Sequence, residues 1–174
     1  MTSTDTAPTG TNLQIWNKLQ RVPLGNWIFT QALCFKAPYF RSVHPLVQEL
    51  RPGLCRVTAP NRRSVHNHLG SYHAIASCNM AELAGGMMTE ATVPSTHRWI
   101  PVGMTVEYKA KATTAVTSVA RLDSIPAFTD EPPNSLSPWT FSTPTATSSS
   151  PPPSPCTSRE RRTSEQAGGR PTSP

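Results

Sequence analysis

Leu13, Ile15, Trp16 and Leu19 recur at helical spacing, Pro23 and Gly25 interrupt the pattern, and a second apolar segment runs from Trp27 to Phe35. Two short helices fit this order. After Pro38 the segment His44 to Leu50 reads as one or two further helical turns, closed by Pro52 and Gly53. Leu54 to Ala59 alternates as a strand, with Leu54, Arg56 and Thr58 on one face and Cys55, Val57 and Ala59 on the other. A polar loop, Asn61 to Asn67, follows. From Gly70 to Thr89 the chain predicts a long helix whose only formally charged side chain is Glu82, the pattern of a buried helix. Met104, Val106, Tyr108 and Ala110 then alternate with Thr105, Glu107, Lys109 and Lys111, which predicts a strand with one wet and one dry face. A turn near Ala112 to Thr114 leads into Ala115 to Leu122, whose Val116, Ala120 and Leu122 would share the buried face of an antiparallel neighbour.

Composition divides the chain. Of 19 prolines, 11 lie after Leu122, where Ser and Thr dominate and long apolar side chains nearly vanish. Such a stretch buries too little apolar surface to offset its ordering entropy. The organisation expected is a disordered leader over 1–11, a folded domain over 12–122 and a Pro/Ser/Thr-rich tail over 123–174. The net charge of +6 comes from dispersed cations rather than the run or stripe that tracks a phosphate backbone, which argues against a nucleic-acid partner. Cys34, Cys55, Cys78 and Cys156 show no paired spacing, and the polar start carries no secretory signal, so reduced cysteines and a cytoplasmic location are expected. No apolar run approaches the roughly 20 residues of a bilayer span, and no membrane partner is expected.

The stretch Val65-His66-Asn67-His68-Leu69-Gly70-Ser71-Tyr72-His73-Ala74, continued by Asn79-Met80-Ala81-Glu82-Leu83-Ala84-Gly85-Gly86, resembles the hotdog-fold acyl-CoA thioesterases of the phenylacetyl-CoA type. The shared pattern is Asn67, Gly70 three positions on, His73 six positions on and the acidic Glu82 fifteen positions on. Ala37 to Arg41, Pro52-Gly53 and Arg98 to Tyr108 look like an uncharacterised bacterial branch of that superfamily, so the likeness covers about residues 13–122. It implies an α+β hotdog fold, a long central helix wrapped by an antiparallel sheet. It also implies hydrolysis of an acyl-CoA thioester, without a cofactor, in a site shared by two subunits of a homodimer or a dimer of dimers.

Each residue of that pattern has a chemistry and a blander reading. Unpaired N–H groups in the first turn of the central helix, near His73 and Ala74, can hold the oxyanion that develops on a thioester. Glu82, set among Met80, Ala81, Leu83 and Ala84, is expected to be desolvated, with a raised pKa suited to a general base or nucleophile. A solvated helix charge is the plainer alternative. Asn67 can position water or the carbonyl, while Asn67 and Gly70 can equally form a turn and helix cap. Arg62, Arg63, Arg98 and Lys109 can meet the phosphates of coenzyme A. His66, His68 and His73 lie in one short stretch, yet no cysteine or carboxylate completes a zinc set at a familiar spacing, and no metal is expected. Trp16, Trp27, Phe29 and Phe35 read as core or dimer packing rather than a ligand box.

Beyond Asp123 the pattern departs from the resemblance. Ile125-Pro126-Ala127-Phe128, Glu131-Pro132-Pro133 and Ser148-Ser149-Ser150-Pro151-Pro152-Pro153 keep neither strand nor helix periodicity where a hotdog domain adds its last strands. A shift of reading frame near residues 123–140 would account for the change, and a natural Pro/Ser-rich linker is the alternative; re-sequencing the coding region and finding it intact would leave the linker. Two other functions stay open: a hotdog hydroxyacyl-thioester dehydratase pairing His73 with Glu82, and a non-catalytic acyl-CoA-binding or dimerisation module.

Overall fold

The computed structural model describes residues 10–126 together with Phe128. Residues 1–9, 127 and 129–174 lie outside the described residues, and with them most of the leader expected over 1–11, most of the tail expected over 123–174 and most of the 123–140 stretch assigned to a frame shift. Helix α1 (Thr11–Leu19) buries Leu13 and Trp16, and helix α2 (Gly25–Lys36) buries Phe29, Thr30 and Cys34. Trp16 and Phe29 meet edge to face at 5.1 Å, a favourable arrangement of the ring quadrupoles. Trp27 and Phe35, on the same expected aromatic stripe, are exposed instead. The backbone carbonyl of Leu19 closes on Gly25, leaving no room for a Cβ where the two helices turn.

A 3-10 helix η1 (Pro38–Val43) ends at His44, which has a φ of +51°. Next comes strand β1 (Leu46–Arg51), not the helical turns expected for His44 to Leu50. The register of β1 against β2 (Leu54–Ala59) shifts between Val47 and Glu49, and this bulge explains the difference. One extra residue at Gln48 places the inward side chains Val47 and Leu50 three positions apart, the spacing of a helix face. Pro52 and Gly53 join the strands in two residues; Gly53, at φ +73°, takes the left-handed position that follows proline in a type II turn.

The β2 alternation is as expected: Cys55, Val57 and Ala59 are buried, and Arg56 is exposed. Strand β3 (Val116–Arg121) pairs antiparallel on the other side of β2, in the order β1-β2-β3. Across its inner face lies the long helix α3 (Ala74–Thr92), contributing Met80, Leu83, Ala84, Met87, Met88 and Ala91 to the core. Thr92 Oγ1 accepts from the Gly53 amide at 2.8 Å and donates to the Met88 carbonyl, tying the helix end to the hairpin turn. Past Leu122, Ile125 lies over Gly53, and the Phe128 ring meets the His97 ring at 5.6 Å.

The strand expected over Met104 to Lys111 does not form. Residues 98–113 carry no regular structure, and Met104, Val106 and Tyr108 are all exposed. The segment follows the outer surface of α3: the Trp99 ring lies beside Gly86, its Nε1–H donates to Glu90 at 3.1 Å, and the Tyr108 hydroxyl meets Cys78 Sγ at 3.1 Å.

Candidate functional site

The loop before α3 builds the site. Asn67 Oδ1 accepts from the amides of Leu69 and Ser71 at 2.9 and 3.2 Å and from Ser71 Oγ at 3.1 Å. Gly70, at φ +70°, donates to the Asn67 carbonyl at 3.0 Å and completes this turn. The turn-forming reading of Asn67 and Gly70 is therefore realised, and the side-chain oxygen of Asn67 is fully used by its own loop. His66 and Tyr72 form an isolated antiparallel bridge that returns the chain to the helix start.

His73 is the N-cap of α3, and its Nδ1 accepts from the Ile75 amide at 3.1 Å. The His73 amide itself donates to the Val65 carbonyl at 2.7 Å, so it is not one of the free donors expected at this point. The helix begins at Ala74 rather than Gly70, since residues 66–72 are committed to the bridge and turn. The amides of Ala74 and Ala76 have no partner among the described hydrogen bonds, and they carry the positive end of the helix dipole.

Beside this helix start lies a cavity of about 210 Å³, walled by Tyr39, Ser42 and Val43 of η1, by Ser64, Val65 and His66, and by His73, Ile75, Ala76 and Asn79 of α3. Ser64 and Val65 belong to a short 3-10 turn, Arg63–Val65, denoted η2. Asn79, only 5% exposed, donates through Nδ2 to Ser42 Oγ at 3.2 Å, while its Oδ1 is buried without a partner. Tyr72, held by its amide to the Ala112 carbonyl, likewise buries its hydroxyl without a partner, and burial pushes the phenol up to about 12.

Glu82 does not sit as expected. It faces outward, on the stripe of α3 that also carries Ile75 and Cys78, so the burial expected of it is absent. Eight residues separate it from Ala74, about 12 Å along the helix axis, and it does not line the cavity. The helix is apolar by composition, but the irregular segment 98–113 covers its outer face only in places. Arg62 and Arg63 are exposed, next in sequence to Ser64, and do not line the cavity; Arg98 and Lys109 are exposed on the segment outside α3, with Lys109 paired to Glu107 at 3.2 Å. Of the expected site residues His73 lines the cavity, whereas Arg62, Arg63, Glu82, Arg98 and Lys109 do not.

Asn79 escaped the sequence reading, although one signal was available. A helical projection puts it beside Met80 and Leu83, where an amide side chain on a buried face demands a partner. Among the described residues, no three His, Cys, Asp or Glu side chains gather where a metal ion could be held. Cys34, Cys55 and Cys78 are all free thiols, and among the described residues no helix is long and apolar enough to cross a membrane.

The model of a family described as a domain of unknown function, DUF4442, matches residues 25–138. The chain belongs to this family. The match takes in α2, the hairpin, α3 and β3, and it runs past Leu122, where the folded domain was expected to end. Among solved structures, the chain is similar to the genomics target APC5556, at 51% identity and a TM-score of 0.57 over 64% of this chain and 74% of that one. It is also similar to a Pseudomonas aeruginosa protein of unknown function described as a probable thioesterase, at 27% identity over 67% of this chain and 68% of that one. The TM-score there is 0.46. No curated protein matches the chain.

Proposed function

We propose that this DUF4442 chain is a hotdog-fold protein that hydrolyses an acyl-CoA thioester at the N-terminus of α3, as a homodimer whose folded unit spans about residues 12–122. The observation that carries the reading is the pair of unpartnered amides, Ala74 and Ala76, at a helix start beside a cavity. The spaced set of Asn67, Gly70, His73 and Glu82 supports it, as does a long helix lying across an antiparallel sheet.

In this reading the thioester carbonyl points its oxygen at the Ala74 and Ala76 amides. Glu82 of a second copy, brought over from that copy's outer α3 face, takes a proton from water. The resulting hydroxide adds to the carbonyl carbon, the amides hold the tetrahedral oxyanion, and collapse breaks the C–S bond as Glu82 returns its proton to the departing sulfur, releasing the acid and the CoA thiol. Arg62 and Arg63 meet the phosphates of coenzyme A, with Arg98 and Lys109 contributed across the dimer. Asn67 acts indirectly, by holding the loop that presents His73.

Ala74→Pro tests the oxyanion role. Ala74 is the first residue of α3, where proline is well tolerated, and His73 already has the extended backbone (φ −68°, ψ 133°) that a following proline requires. The substitution deletes one free N–H and leaves the helix intact. Thiol release from acyl-CoA is expected to fall about 100-fold or more with unchanged circular dichroism, the loss typical of one oxyanion donor. Full activity in Ala74→Pro would refute the assignment.

A further inference from the structure

We infer that the outward face of α2, with the basic residues around it, docks on the surface of an anionic lipid membrane. The helix lies in the plane of the interface, and Leu24, Trp27, Ile28 and Phe35 enter the boundary between headgroups and acyl chains.

Helix α2 is apolar on both sides. Its only charged residue is Lys36, and Phe29, Thr30 and Cys34 are buried on the side that packs on α1, η1 and β1. A helix apolar all round is normally covered all round. Leu24, Trp27, Ile28 and Phe35 are nevertheless exposed, Phe35 at 88%, and among the described residues nothing covers them. Positions 28, 31 and 35 fall on one line along the helix, with Leu24 at its head and Trp27 and Ala32 to either side, and Gln31 is the one polar member of the set. Leu24 adds an independent sign. At φ +61° it occupies a left-handed position that suits glycine or asparagine, yet its side chain is 75% exposed. Neither backbone ease nor burial in this chain accounts for a leucine there.

Charge identifies the partner. No Asp or Glu occurs between Asp5 and Glu49, while Lys18, Arg21, Lys36 and Arg41 lie on α2, on its neighbours α1 and η1 or on the turn that enters it. All four are exposed, and among the described residues none is paired with a carboxylate. Arg41 lines a hollow of about 360 Å³ together with Gln31, Ala32, Cys34 and Phe35, so a cation and the most exposed ring of the stripe share one depression without a carboxylate. A second copy seated on this face would bring its own four cations against these four. An anionic membrane supplies headgroup charge for the cations and acyl chains for the stripe between them, and Trp27 has the amphipathic ring that settles at headgroup level. Leu24 and Ile28 offer no ring on which a nucleic-acid base could stack. At 12 residues the helix is about 18 Å long, too short to span a bilayer, so the association is with a surface.

The inference does not rest on the hydrolase reading. Co-sedimentation of the full chain with vesicles of equimolar phosphatidylcholine and phosphatidylglycerol, beside vesicles of phosphatidylcholine alone, tests it. The expected result is partition onto the anionic vesicles tighter by about 10-fold or more, and weakened by salt. No vesicle binding, or binding indifferent to phosphatidylglycerol, overturns the inference. Phe35→Asp alters a side chain already in water; it is expected to keep the thermal transition and to lose about 10-fold or more in partition. Lys36→Glu is expected to weaken partition onto the anionic vesicles alone. Unchanged partition in either folded variant also overturns it. Self-association that Phe35→Asp abolishes, in a chain that ignores vesicles, would give the face to a second copy instead. Vesicle binding without thiol release would uphold this surface while refuting the hydrolase reading, and turnover by a chain that ignores vesicles would do the reverse.

Discussion

Two stretches of this chain alternate apolar and polar side chains equally well, Leu54–Ala59 and Met104–Lys111, yet only the first is a strand. Strand β2 is hydrogen-bonded on both edges, by β1 and β3, and its inward residues lie against α3, with Cys55 and Val57 fully buried. The second stretch has no strand beside it, and Met104, Val106 and Tyr108 stay 38 to 58% exposed on the outside of the same helix. Alternation states which face of a segment seeks cover. Whether a strand forms depends on a neighbouring backbone to bond to and a surface to cover it, and in this chain β2 has both.

The largest effect that separates the two stretches is a charge placed on each. Val57→Asp buries an uncompensated carboxylate and is expected to cost about 4 kcal/mol or more, enough to abolish a cooperative transition in urea. A clear transition in that variant would mean that β2 is not the core strand. Next in size, Thr92→Val leaves the Gly53 amide buried without an acceptor and should lower unfolding stability by about 1–3 kcal/mol at constant m-value, because the hairpin turn around β2 is pinned by that hydroxyl.

The cysteines sharpen the contrast further. Burial, aided by the Glu49 charge, pushes the Cys55 thiol up to about 12 from its ordinary 9, while Cys78 is partly exposed on the outer face of α3. The folded protein holds the Cys55 proton more tightly than the unfolded chain does. Stability from this group is therefore complete below about pH 9 and is lost as pH rises toward 12, by at most about 1.4 kcal/mol per pH unit. Tyr72, raised from 10 to about 12, adds to the same decline, and Tyr72→Phe should flatten part of it. Stability that climbs with pH between 9 and 11 would contradict both burials. Peptide mass mapping after a short exposure to a maleimide at neutral pH is expected to find Cys78 labelled and Cys55 protected. The smallest expected effect is Val106→Asp, within about 0.5 kcal/mol of the parent because its side chain is already in water; a loss near that of Val57→Asp would place residues 104–111 in a covered strand.

These contrasts also explain what could be read in advance. The helices around Trp16 and Phe29, strand β2, strand β3 and the long helix α3 follow from local periodicity because each of them buries one face against its neighbours. Strand β1 departs from the helical expectation because its bulge at Gln48 imitates helical spacing. Glu82 was placed in a buried setting from the apolar residues around it. The outer stripe of α3 nevertheless has no sheet against it, and sequence neighbours on a helix point in different directions. At the site, Asn67 and Gly70 were legible as turn formers, and the helix start was legible to within a turn. The free amides of Ala74 and Ala76 and the unpaired oxygen of Asn79 depend on which bonds the Val65, Ile75 and Ser42 partners make, and no pattern of residue types carries that information.

In the proposed mechanism Glu82, an outward carboxylate, acts only through a second copy of the chain. Release of free CoA thiol from short, medium and aromatic acyl-CoAs, by the parent chain beside Glu82→Gln, addresses it directly. The expected result is turnover by the parent and a loss of about 100-fold to 10,000-fold in kcat for the variant, with the dimer and its CoA affinity unchanged. A folded dimer that binds CoA yet hydrolyses none of the panel, or hydrolyses it equally well with Gln at position 82, would contradict the central claim and leave a binding module in its place.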